Sequence, residues 1–388
     1  MKLSKRRILF FAYDGVGLGH LMRLLKIAKA FSKEFLVLVA TGHQAVGELV
    51  PQGVEFIRLP RFSANNPDDE VESTSGKLNV KLFRNNTLWH VIKLFRPDVF
   101  VTDYLPTGKK NELLELITNY PCMKYFVLRG NIGSENLIVN DVFTPENIQI
   151  LDRYYQRVFI ASEEGLNDFI QHPIVPDSIR QKTCSVGYVV DKLEEDSVDR
   201  IRRERGLQPH DRWIVCSAGG GRLGEKLIEK CVSLAKDPRY SSCYFDIVNG
   251  YYGNFAWPSD LYDVVSIAPN VMLSRKTKYL AHMHAAADIV ICSGGYNSLI
   301  EAIQGRSKHI LAFPVQVKST EQMQNIHDLQ GYYPIQEIKD LEDLGSMLDD
   351  CLQKMPSTPI RTDQQLNMEG ANTILQIIKT DFANASNL

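Results

Sequence analysis

ADIVICSGGYNSLIEAIQGRSKHILAFPVQVKSTEQMQN, residues 287–325, is the stretch on which the fold turns. Asp288–Cys292 is an apolar run that predicts a strand, and it stops at the small residues Ser293, Gly294 and Gly295. A helix is expected to start at Tyr296, Asn297 and Ser298, and a second strand, His309–Phe313, ends at Pro314. Glycines at such a junction let backbone N–H groups approach a ligand, and a helix N-terminus adds partial positive charge. Glu301, one turn into the helix, can accept the paired hydroxyls of a ribose. Taken alone, the glycines fit an ordinary strand-to-helix turn equally well.

The rest of the chain sets bounds. Its 388 residues exceed one ordinary core and predict two domains. A hydrophobic content of 44% with 23% charged residues describes a soluble globular protein. The formal charge of −2 and the lack of a basic stripe argue against a nucleic-acid partner. Cysteines 122, 184, 216, 231, 243, 292 and 351 are scattered with no Cys-x-x-Cys, so neither a zinc site nor a disulfide framework is expected. Lys2, Lys5, Arg6 and Arg7 precede an apolar run too short for a membrane span and interrupted by Asp14. A cytoplasmic location is the reading, with contact at a membrane surface left open.

The grammar of the central stretch recurs along the chain. Ile8–Tyr13 predicts a buried strand, Asp14–Gly19 a glycine-rich turn, and Leu21, Leu24, Leu25, Ala28 and Phe31 a helix at the right spacing. Strands follow at Phe35–Ala40 and Val54–Leu59. The glycines read G-x-G-x-G, and the second strand ends Val39-Ala40-Thr41 without an acidic residue, which counts against NAD. Residues 62–86 are polar and read as a mobile loop or disorder. Helical character returns over Leu88–Phe95, and further strands are expected at Val99–Thr102, Lys124–Leu128 and Val158–Ala161. A second series begins after a boundary near residues 183–190, with strands Trp213–Ala218, Tyr244–Val248 and Val271–Leu273 and a final helix over Gln364–Thr380. Alternating strands and helices predict an α/β chain: two Rossmann-like domains with parallel sheets covered on both faces.

SGGYNSLIEAI, then Pro314, then EQMQN resembles the donor-binding segment of family-28 glycosyltransferases, the lipid II-forming N-acetylglucosaminyltransferase family. TDYLPTGKKNEL and SVGYV are similar to uncharacterised bacterial members of that family. The resemblance implies the GT-B architecture, in which the two domains face a cleft. It divides the chain into an acceptor-binding domain 1–187, a nucleotide-sugar-binding domain 188–363 and a last helix, 364–388, crossing back to the first domain. It implies that Gly294 and Gly295 meet a diphosphate together with the helix start at Asn297 and Ser298, that Glu301 holds the ribose, and that Gln322 and Asn325 bond sugar hydroxyls; the alternative for these last two is to face solvent on an amphipathic helix. Gly219, Gly220 and Gly221 resemble the family's other diphosphate-facing loop, with Arg222 as fixed positive charge; a tight turn exposing Arg222 is the alternative.

Sugar transfer needs a base, donors for the leaving diphosphate and a sugar held in line. His20 follows the first glycine turn, its reference pKa of about 6.5 suits a base near neutrality, and the family places a histidine there. A capping or packing histidine is the plain alternative. Asp103 ends its strand and can orient His20, as in the His–Asp pair of related plant enzymes, or cap a turn. Gly17, Gly19 and Arg129 are acceptor-side candidates, the glycines as a seat for an acceptor phosphate; a surface salt bridge is the other account of Arg129. His282 and His284, two apart, do not share a helix face, and no Asp-x-Asp occurs, so a metal-independent reaction without cofactor is expected. The expected enzyme is an inverting hexosyltransferase using a UDP-sugar, UDP-N-acetylglucosamine being one candidate, and a small-molecule or lipid-linked acceptor. A nucleotide-sugar 2-epimerase and a non-catalytic nucleotide-sugar binder are the alternatives.

Overall fold

The computed structural model describes residues 5–15, 17–62, 70–73, 76–166, 168–194, 196–220, 224–253, 255–259, 262–305, 307, 309–315, 320–355 and 366–385. They divide into two compact units, Met1–Val189 with Glu369–Leu388, and Val190–Met368.

In the first unit, short apolar runs become the strands β1 (Arg7–Ala12), β2 (Leu36–Thr41) and β3 (Val54–Arg58). After the hairpin β4 (Glu70–Ser73) and β5 (Gly76–Asn79) come β6 (Val99–Asp103), β7 (Met123–Arg129), β8 (Arg157–Ala161) and β9 (Thr183–Ser185). The main sheet runs β3-β2-β1-β6-β7-β8-β9, with every pairing parallel. Phe11 of β1 lies between Ala40 of β2 and Thr102 of β6. The strand order therefore reverses at β1/β6, and a crevice opens at the carboxyl ends where the connections part. Apolar side chains such as Phe11, Phe100, Phe126 and Val158 fill the core over one face of this sheet.

Residues 62–86 differ from the loop the sequence suggests. They contain the β4–β5 hairpin and the start of a helix, Val80–Phe95, while 63–69 and 74–75 lie outside the described residues. Asn79 caps this helix by accepting the Leu82 N–H at 2.9 Å. Arg84 is fully buried, donating to Asp14 of the first glycine turn at 2.7 Å and to both oxygens of Glu112. One guanidinium faces two carboxylates, so burial, with Asp14's charge added, pushes the Glu112 carboxyl up to about 7 against the pull of Arg84.

The second unit repeats the plan with β10 (Arg212–Ser217), β11 (Cys243–Val248), β12 (Val264–Ala268), β13 (Val271–Ser274), β14 (Ile289–Ser293), β15 (His309–Phe313) and β16 (Ile335–Glu337). The order is β12-β13-β11-β10-β14-β15-β16, parallel except for β12 against β13. Its reversal falls at β10/β14. The core over this sheet includes Ile214, Phe245, Ile289 and Leu311.

The last helix is Gly370–Ala385 rather than Gln364–Thr380; 366–368 are not helical, and 364–365 lie outside the described residues. It belongs to the first unit, where Glu369 bridges Val189, Ile374 and Ile378 are fully buried, and Asp381 accepts from Arg157 at 2.7 and 2.8 Å. Among the described residues no helix is long and apolar enough to cross a membrane.

Candidate functional site

In the first unit the candidate residues gather at the β1/β6 reversal. β1 runs out through Tyr13 into the glycine turn, and the helix Gly19–Phe31 puts His20 on its first turn. His20 is buried, and its Nδ1 lies 2.7 Å from Asp103 Oδ2, at the end of the neighbouring strand β6. Asp103 is fully enclosed, and Arg23, one helical turn after His20, donates to its other oxygen. Burial sets an upward pressure on the Asp103 carboxyl, but Arg23 and His20 outweigh it and hold the group below its usual range. Asp103 is thus a carboxylate.

His20 responds in the opposite sense. Burial disfavours the imidazolium and lowers its pKa to about 4; Asp103 works against that, while Arg129 and Arg23 add to it. At neutral pH the ring is neutral. With Asp103 ionised, Nδ1 carries the proton and donates it, which leaves the lone pair on Nε2. Gly15 keeps that edge clear, because a β-carbon there would come within 3.1 Å of Cδ2 and 3.7 Å of Nε2. The rings of Tyr13 and Tyr104 stand 5.3 and 4.9 Å from the imidazole. Tyr104 holds φ 66°, a left-handed conformation costly for a tyrosine, directly after Asp103. The Arg129 guanidinium lies 5.5 Å from the centre of the Tyr104 ring. Gly19 is exposed at the helix start, and a β-carbon on Gly17 would meet nothing within 4 Å. The turn is tied down by Asp14, which accepts the Gly42 N–H at 2.7 Å and the Arg84 donor described above.

In the second unit the candidates converge on the β10/β14 reversal. β10 ends at Ser217 and leads into Gly219 and Gly220; Gly221 and Arg222 lie outside the described residues. β14 ends at Ser293, and Gly294 and Gly295 precede the helix Tyr296–Ile303. The two turns adjoin, since a β-carbon on Gly219 would stand 3.4 Å from Ser293 Oγ and 3.8 Å from Ser298 Oγ. Gly294 is required by close approach: its β-carbon would meet the Gln322 carbonyl at 2.9 Å and Ile326 at 2.7 Å. Gln322 and Asn325, on the helix Glu321–Gln330, brace this place. Gln322 Oε1 accepts the Val315 N–H at 2.8 Å, and the buried Asn325 donates to the Gly294 carbonyl at 3.3 Å. Asn297 is half-buried on the first turn of the helix after β14.

Glu301 is buried one turn into that helix, with Oε2 3.7 Å from Nδ1 of the enclosed His284. His284 Nε2 in turn meets Ser217 Oγ at 2.9 Å. The sequence weighed His284 only as half of a metal pair and Ser293 only as part of a small-residue turn, and Ser217 drew no notice, because its partner His284 comes from a distant helix, Leu280–Ala286. Among the described residues no group of three His, Cys, Asp or Glu could hold a metal ion. The arrangement sets the serine-lined turns of Gly219 and Gly294 at the start of the helix Tyr296–Ile303, where partial positive charge favours an anion, with the buried Glu301 carboxyl on the same helix.

The chain matches no family model and no curated protein sequence. Solved structures do match over nearly its full length. It is similar to the UDP-GlcNAc 2-epimerase of Neisseria meningitidis bound to UDP-GlcNAc, with TM-score 0.60 and 14% identity over 97% of this chain and 100% of the other. It is similar to Phytolacca americana UGT2 complexed with UDP-2-fluoroglucose and pterostilbene, at 0.56 and 16% over 98% and 100%. It is also similar to Acinetobacter baumannii MurG, at 0.53 and 13% over 97% and 99%. At these identities the likeness establishes the fold, which is that of two Rossmann-like domains of the GT-B class.

Proposed function

We propose that the chain is an inverting glycosyltransferase that moves a hexose from a UDP-sugar to a hydroxyl acceptor. The observation that carries this reading is the buried His20–Asp103 pair at one strand-order reversal, with Nδ1 2.7 Å from the carboxylate. His20 Nε2 takes the acceptor proton as the oxygen attacks the anomeric carbon, and a single displacement inverts that carbon. Asp103 then faces the imidazolium that forms. Val190–Met368 holds the donor: Glu301 takes the ribose, and the turns at Gly219–Gly220 and Gly294–Gly295 receive the diphosphate. Gly221 and Arg222, outside the described residues, are donor-side candidates from the sequence, and Gln322 and Asn325 line the sugar. The His20 unit takes the acceptor, with Gly17, Gly19 and Arg129 on that side. N-acetylglucosamine is the first sugar to try, without added metal.

A second reading, nucleotide-sugar 2-epimerase, is favoured by the 0.60 TM-score to such an enzyme. The two part on one requirement, because an epimerase needs no acceptor. The protein should be titrated calorimetrically with UDP, ADP, GDP and NAD, with and without EDTA, and then incubated with UDP-N-acetylglucosamine alone and with an acceptor panel. Selective UDP binding that survives EDTA, followed by acceptor-dependent UDP release, is the expected result. Epimerised sugar without an acceptor would replace the first reading with the second. Binding of NAD alone, or of no nucleotide, would end both.

A further inference from the structure

The His20–Asp103 pair has a third member that the proposed reaction does not call for. Arg23 is only 2% exposed, donates through Nη2 to Asp103 Oδ1, and brings the same nitrogen to 3.2 Å from His20 Nδ1. Among the described residues its Nε has no hydrogen-bond partner. Enclosing a guanidinium costs several kcal/mol of hydration unless a counter-charge offsets it. The offset here is the carboxylate that also serves His20. A guanidinium has donors only, so Arg23 and a protonated Nδ1 converge on the two oxygens of one carboxylate.

We propose that Arg23 is a positioning residue for His20: it fixes Asp103 as a carboxylate with Oδ2 aimed at Nδ1, and so holds the imidazole in the tautomer whose lone pair sits on Nε2. This rests on the reading of His20 as the base. Two consequences follow from the charges that face the ring. From its own helix it meets Arg23, from the end of β6 Asp103 and just after it Tyr104, from just after β1 Tyr13, and from β7 Arg129. A lone aspartate would stabilise the imidazolium with a full negative charge. Here burial lowers the ring's basicity most, and the Arg129 and Arg23 charges offset part of the Asp103 attraction. The device therefore exchanges base strength for a base that stays unprotonated in mildly acidic solution.

The test is ¹⁵N NMR of the imidazole in the full-length protein, with His20 assigned by loss of its signal in His20→Gln. At pH 7 the wild type should show a neutral ring protonated on Nδ1, with a titration midpoint below about 5. In Arg23→Gln the midpoint should rise, and Arg23→Lys should restore the low value. A ring protonated on Nε2, or an imidazolium at pH 7, in the wild type overturns the proposal without any variant. An unchanged midpoint and tautomer in folded Arg23→Gln overturns it as well. Loss of transferase activity in every assay, with the NMR as expected, would remove the reaction and leave the Arg23 assignment standing.

Discussion

His20 ties the acid behaviour of its unit to a single ring. Its pKa of about 4 in the folded protein lies below the unfolded value of about 6.5, so the unfolded chain binds the proton more readily. Stability should fall as pH drops from about 6.5 to about 4 and then level for this group. His20→Gln should flatten that slope, as read from urea midpoints at a series of pH values; an unchanged slope would show that other groups set it. Replacing His20 by Ala should lower turnover by roughly 10²–10⁴-fold with UDP affinity unchanged, and full activity would remove the mechanism. His20 itself was legible, because a histidine after a strand and a glycine turn is forced to the carboxyl end of a sheet. Arg23 was not. Between Leu21 and Leu24 it reads as the polar side of a helix, and its burial depends on a carboxylate at position 103.

Most strands were legible as elements because parallel strands buried on both faces are unbroken apolar runs. The short edge strands β9 and β16 escaped, as three residues carry no pattern, and β12 escaped because much of it is exposed. The helix Val80–Phe95 was read short for a different reason: its first turns carry Arg84, which looks like a loop residue and is held inside by Asp14 and Glu112. The glycine turn after β14 is the element with least room. Gly294→Ala presses a methyl against the backbone of the bracing helix, so about 1–3 kcal/mol of stability should be lost. UDP affinity should fall with it. A thermal melt and a calorimetric titration check both; a variant with normal melting and normal affinity would show that the turn yields freely.

For the molecule as a whole, the two-unit plan was legible from the repeated strand, turn and helix, while the start of the last helix was not. Its true anchor is the Val189–Glu369 bridge, a pairing between distant segments that no local signal announces. Apolar contact should outweigh charge in holding that helix. Ile378 is fully buried, and Ile378→Ala should cost about 2–5 kcal/mol. The Arg157–Asp381 pair, with Arg157 40% exposed, is screened by water, and Asp381→Ala should cost about 1 kcal/mol or less. Chemical denaturation of the two variants decides between them, and the reverse ranking would make the ion pair the fastening.

Because the first unit is closed by residues 369–388, its completion is also a matter of timing. On the ribosome, the sheet β1 to β9 emerges before the second unit, but the helix that packs on Gly19–Phe31 is made only after all of that unit. At ordinary translation speeds that interval is on the order of ten seconds or longer. Through it the nascent chain carries an unfinished apolar face, which is the natural docking point for a holding chaperone and the place where premature termination would leave a sticky product.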